Sequence, residues 1–166
     1  MENANLNEEQ KIFFKNLSIF IDEDLFFYGS VKRCDYFPGK SDIDVDIFTD
    51  NEAKTARLLT NYLHLERSKV KKIVYKIDNK MIYGHKVAHT DNNTNIEFFI
   101  YNTKYKHIIM KDHTQFNELT IYGTIMMVIL KCMYYYLPIM STDTYKQLKK
   151  WLINPNTEPR FIQVDN

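Results

Sequence analysis

Asp42, Asp44 and Asp46 alternate with Ile43, Val45 and Ile47 in the run SDIDVDIF. On an extended strand successive side chains point to opposite faces, so the carboxylates line one face and the branched apolar side chains the other. The apolar face calls for a helix packed against it. The acidic face sets carboxylates about 6–7 Å apart at Cα, where repulsion raises pKa values and costs stability. A hard, oxygen-seeking cation such as Mg²⁺ removes that penalty. With a third acid nearby, two ions about 3.5–4 Å apart can activate a nucleophile and steady a leaving group. An exposed edge strand would show the same alternation, because charge there blocks aggregation. A calcium loop is excluded: Ile47 stands where its turn glycine belongs and Ala53 where its bidentate glutamate belongs.

The chain has 166 residues, 45% apolar and 26% charged, which predicts one globular domain spanning 1–166. A net charge of +1 gives no global field toward nucleic acid or membrane, although a local basic patch is compatible with it. Two cysteines, Cys34 and Cys132, without a preceding secretory signal favour a reducing, intracellular, cytoplasmic setting. The Asn, Lys, Ile and Tyr bias fits an AT-rich genome, such as that of a large DNA virus or a parasite. The apolar segment 119–140 raises a membrane span, but Lys131 lies well inside it, so a buried core helix is expected.

Apolar residues at helical spacing (Ile12, Phe13, Leu17, Phe20, Ile21) predict a helix over 7–21, capped by Asn7. DLFFYGS reads as a strand ending on Gly29, followed by a loop over 31–40 with a Pro38-Gly39 turn. The aspartate strand spans 42–48. Thr49 to Glu52 has the form of a capping box for a helix burying Ala53, Ala56, Leu59 and Leu63. Three further strands follow in KKIVYKID, MIYGHKVAHT and NIEFFIYN, then helices over about 115–137 and 141–153 and a polar tail over 154–166. The order predicts an α+β fold: a mixed or antiparallel sheet, helices against one face, a core over about 8–137, and C-terminal helices.

Gly29-Ser30 bears on the choice between edge strand and metal site. A glycine ending a strand lets a phosphate approach the backbone, and the following N–H groups and hydroxyl can donate to it. Together, YGSVKRCDYFPGKSDIDVDIF resembles the signature of the nucleotidyltransferase superfamily, which includes DNA polymerase beta, poly(A) and terminal uridylyl polymerases and antibiotic-modifying enzymes. Gly29-Ser30, the ten residues 31–40 and Ser41-Asp42-Ile43-Asp44 fit that signature without gaps. The resemblance covers 26–48 closely and 70–101 by strand order.

The resemblance implies transfer of a nucleoside monophosphate from a nucleoside triphosphate to an acceptor hydroxyl, with release of pyrophosphate. It implies two Mg²⁺ (or Mn²⁺) ions on Asp42 and Asp44, and a triphosphate held by Gly29, Ser30 and Ser41. The family carries a third acid on a later strand, and Glu97 in TNIEFFIYN is the best match; the alternative is a strand-start residue facing solvent. Asp46 is either a supporting acid or the third ligand in place of Glu97. Several members carry a helix lysine reaching the triphosphate, a role open to Lys131, whose alternative is a snorkelling surface lysine. The rival to catalysis is an inactive binding module or antitoxin-like partner with the same fold.

Lys32, Arg33 and Lys40 read as solvated loop charges, and RSKVKK (67–72) as a solvated run able to form a short phosphate track. His64, His85, His89, His107 and His113 lack zinc spacing with the cysteines and read as structural or surface residues. MYYY (133–136) reads as core rather than a base-stacking platform. The acceptor stays open between a nucleic-acid 3′ end, a protein hydroxyl and a small molecule; no membrane partner is expected.

Overall fold

The computed structural model describes residues 4–77, 79–91, 94–117, 119–137, 139–153 and 161–164. Its elements in chain order are α1 (Glu8–Ile21), β1 (Leu25–Tyr28), β2 (Ile43–Thr49), α2 (Glu52–Tyr62), β3 (Val70–Ile77), β4 (Lys80–Asp91), β5 (Thr94–Asn102), α3 (Lys106–Asn117), α4 (Ile121–Tyr135), α5 (Thr142–Ile153) and β6 (Phe161–Val164). The strands form one mixed sheet in the order β1-β2-β5-β4-β3-β6. β2 and β5 run parallel, and the other neighbours are antiparallel.

The alternation in β2 sorts the two faces of the sheet. Ile43, Val45 and Ile47 are fully buried and join Ile96, Phe98 and Ile100 of β5 in a core with α1 and α2. Phe14 of α1 anchors it, edge-on to Phe27 with ring centres 4.9 Å apart. The opposite face carries the aspartates and a second apolar cluster that includes Phe48, Phe99, Tyr101 and Ile109 of α3. Helices therefore cover the predicted face with α1 and α2, while α3 adds cover on the other. The pair α4 and α5 packs through its own cluster of Met127, Leu130 and Tyr145.

Several boundaries differ from the sequence reading. Asn7 caps α1 as expected, its side chain accepting from Gln10 N while Gln10 Oε1 accepts from Asn7 N. Phe14, Leu17 and Ile21 form the buried face of α1, whereas Ile12 and Phe20 are exposed. Asn51, not Thr49, caps α2 by accepting from Lys54 N. Thr49 Oγ1 instead accepts from Asn51 N and Thr55 Oγ1, tying the strand end to the helix, and Ala53 is left exposed. The single helix expected over 115–137 is two, because Thr120 accepts from Gly123 N and starts α4 afresh. Part of the polar tail forms β6, which pairs antiparallel with β3; residues 154–160 and 165–166 lie outside the described residues. Among the described residues no helix is long and apolar enough to cross a membrane.

Phe14 fills a site where several rings meet, and truncation leaves a cavity that surrounding rings cannot all close. Phe14→Ala should lose about 3–5 kcal/mol of unfolding free energy, read from the urea midpoint at unchanged slope.

Candidate active site

Parallel pairing places Asp44 of β2 directly beside Glu97 of β5, on the same face of the sheet. Antiparallel pairing places Tyr28 beside Asp44 on the other flank, so Gly29 follows immediately. Gly29 has φ +70°, and a Cβ there would stand 2.6 Å from Asp44 Oδ2. Two demands thus converge on glycine: a left-handed backbone and room for a carboxylate. The predicted phosphate bend and the predicted acids are in contact through that position.

Of the residues singled out from sequence, Asp42, Asp44, Glu97, Gly29, Ser30, Ser41 and Lys131 line one cavity of about 500 Å³, whereas Asp46 does not. Asp42 is exposed and Asp44 half-buried. Burial pushes the Asp44 carboxyl up; the Lys149 ammonium opposes it, and Glu97, Asp42 and Asp46 reinforce it, leaving a pKa of about 7. Glu97 Oε2 accepts from Lys86 Nζ at 2.6 Å. Among the described residues no three His, Cys, Asp or Glu side chains stand together as a metal cluster.

Asp46 takes a different part. It is fully buried, with Oδ2 2.7 Å from His113 Nε2 of α3, and it does not line the cavity. Burial raises its pKa, and the hydrogen bond to His113 opposes the rise. His113 in turn stacks on Tyr28, with ring centres 3.9 Å apart. Of the two roles expected for it, structural or surface, His113 takes the structural one. It fixes α3 against the aspartate strand and forms part of the cavity wall.

Lys131 is 1% exposed, so it does not snorkel to the surface. Its Nζ donates to Asp35 O at 2.6 Å and to Ser41 Oγ at 3.2 Å, and pairs with Asp35 Oδ2 at 2.9 Å. An ammonium has three donors, and these contacts use them all. Arg33 grips the same carboxylate from the other side, Nε to Oδ1 at 2.7 Å and a second nitrogen to Oδ2 at 3.1 Å. Burial pushes the Asp35 carboxyl up, but hydrogen bonds from Arg33 and Lys131 outweigh it and hold the group below its ordinary value. Arg33 is thus one of three members of a buried ion cluster rather than a solvated loop charge, while Lys32 and Lys40 are exposed as expected. Ser41 Oγ also accepts from Phe37 N at 3.2 Å, closing the loop just before Asp42.

The sequence reading assigned no role to α5, which contributes Lys146, Lys149 and Lys150 to the cavity wall. Their spacing of three and four residues on one helical face was the available signal. Tyr134 and Tyr135 of the MYYY run meet Tyr145 of α5, the first stacked at 4.1 Å, and Tyr135 also lines the cavity. Asp35 carried no sequence signal, since its partner Lys131 lies 96 positions away.

A protein-family model described as a nucleotidyltransferase domain matches residues 8–116. No curated protein matches the chain. Among solved structures, the chain is similar to one in the structure of the GLD-2/RNP-8 complex, with 12% identity and a TM-score of 0.42. That likeness covers 92% of this chain and 58% of the other, so this chain spans less than two thirds of that protein's length.

Asp44 binds a proton in the folded state that the unfolded chain releases near its ordinary value of 3.8. Its contribution therefore favours folding at low pH and is lost as pH rises from 3.8 toward about 7. In chelator-treated protein, the difference in melting temperature between wild type and Asp44→Asn should shift against wild type over that window. A pH-independent difference would contradict the assignment. Lys131→Met leaves Asp35 buried with Arg33 alone, and should cost about 3 kcal/mol in denaturant titration.

Proposed function

The chain belongs to the nucleotidyltransferase domain family, and on that premise we propose that it moves a nucleoside monophosphate from a nucleoside triphosphate to an acceptor hydroxyl. The observation that carries this reading is the pairing of Asp44 with Glu97 in one row, against the Gly29 bend. A fold has no structural need for two carboxylates side by side at a half-buried position. Burial first, and the neighbouring Glu97 and Asp42 carboxylates after it, raise the pKa of Asp44, and a bound cation would relieve both costs.

The donor set fits a hard divalent ion, being all oxygen and concentrated on adjacent strands. Asp42 and Asp44 would hold Mg²⁺ or Mn²⁺, with Glu97 as the third ligand once Lys86 releases it. Bound ions would neutralise phosphate charge and lower the pKa of the attacking hydroxyl. The triphosphate is assigned to the Gly29-Ser30 bend, where the backbone is bare enough for close approach, opposite the lysines of α5. Those ammonium groups balance the negative charge of the nucleotide. Ser41 and Lys131 act one step back: their hydrogen bonds fix the loop that delivers Asp42.

In the reaction the acceptor oxygen forms a bond to the α-phosphorus. The bond from that phosphorus to the bridging oxygen of the β-phosphate breaks, and pyrophosphate leaves with the electron pair. The hydroxyl proton passes to a site carboxylate or to water. The chain's contribution is positioning and electrostatic stabilisation.

Transfer of label from α-³²P nucleoside triphosphates to a panel of acceptors, with Mg²⁺ or Mn²⁺, tests the proposal. Asp42→Ala and Asp44→Ala should each abolish transfer while leaving the far-ultraviolet circular dichroism unchanged. Turnover retained in Asp44→Ala would overturn the assignment, and nucleotide binding without pyrophosphate release in wild type would mark a binding module instead.

A further inference from the structure

A second cavity of about 230 Å³ adjoins the first, and the two share Tyr28, Tyr75, Glu97 and His113. Its other walls come from β3, β4, β5 and α3, chiefly Ile77, Phe99, Tyr101 and Ile109. Since the strand order is β1-β2-β5-β4-β3, Gly29 lies toward one side of Glu97 and Tyr75 and Ile77 toward the other. Glu97 thus stands between a cavity that holds the Gly-Ser bend with both acids and lysines and a smaller aromatic one.

The lining of the smaller cavity is unlike that of a phosphate site. Phe99 and Tyr101 present nearly parallel rings, 7° apart in plane, and Lys86 Nζ lies 5.1 Å from the centre of the Phe99 ring. Drug-sized ligands fill cavities of about 300 Å³ or more. This volume therefore suits a single planar ring system, with the rest of the molecule outside. On the same sheet face, exposed Lys71 pairs in register with Lys86. Like charges directly opposite are unfavourable; Glu97 pairs with Lys86, and a phosphate at the rim would lie beside Lys71.

We propose that the smaller cavity is the acceptor subsite, and that it takes the base of a nucleoside, free or at the 3′ end of a nucleic-acid strand. The base enters among the aromatic side chains and the sugar hydroxyl points back toward Glu97 and Asp44. Attack on the α-phosphorus then comes from the side opposite the Gly29-Ser30 bend. This rests on the transferase reading for its chemistry, but the occupancy of the cavity can be measured without turnover.

Saturation-transfer NMR on the full chain without nucleoside triphosphate, using adenosine, uridine and a short oligoribonucleotide, reads that occupancy. Signal is expected from the base protons. It should be lost in Tyr75→Ala and kept in Tyr75→Phe, which retains the ring. It should also persist in Asp44→Ala, so loss of transfer and loss of acceptor binding are separate outcomes. Because Tyr75 borders both cavities, the transfer assay uses Ile77→Phe, which narrows the smaller one alone and should raise KM for the acceptor about tenfold while KM for the nucleoside triphosphate moves far less. Stronger labelling of the oligoribonucleotide than of free nucleosides identifies a strand end; the reverse identifies a free nucleoside. Absence of base-proton signal, equal signal in Tyr75→Ala, or equal transfer to an abasic 3′ end or a tyrosine peptide would overturn the proposal.

Discussion

Everything at the site depends on two carboxylates being held side by side where neither can turn away. Parallel strands with Asp44 and Glu97 in register fix both Cα positions. The opposite sides of the same strands, Val45 and Phe98 among them, are sealed into the core. A one-residue slip of β2 would put aspartates into that core, so hydrophobic burial on one face enforces electrostatic conflict on the other. The conflict is moderated from three directions: Lys86 on Glu97, Lys149 near Asp44, and His113 on Asp46. Each belongs to a different element, which ties β4, α5 and α3 to the acidic strand.

The loop between the bend and the strand is held by a second device of the opposite kind. Asp35, Arg33 and Lys131 form a buried, fully hydrogen-bonded ion cluster rather than a strained one. Such clusters add little net stability compared with apolar packing, but breaking one is costly, so they specify one arrangement strongly. Here the arrangement fixed is the position of α4 over residues 33–41, and hence the start of β2 at Asp42.

The sheet face, the acids and the Gly-Ser bend were legible because their signals are local: a period of two, a dipeptide and a fixed interval. Glu97 was legible as an acid in an otherwise apolar strand, and its neighbour followed once strand order was known. Asp35 was not, because nothing within its own loop distinguishes a buried aspartate from a solvated one. Lys131 was noticed for its place in an apolar helix, but its partner could be identified only in three dimensions. The split between α3 and α4 was missed because both sides are helical, and a threonine cap is a weak signal beside continuous apolar character. Asp46 and His113 show the same limit, since a histidine's partner 67 positions away leaves no trace in spacing.

The division of labour among the cations follows from this. Lys131 is buried and held by three acceptors, whereas Lys146, Lys149 and Lys150 line the cavity wall from α5. α5 packs on α4 through Tyr145, stacked on Tyr134 and tilted against Tyr135. In the proposed reaction, a triphosphate entering beside Gly29 would meet ammonium groups on long stems and carboxylates whose Cα positions the paired strands set. Under the proposed transfer, acids anchored on the sheet would fix the reacting geometry, and the leaving group would depart past the lysines of α5.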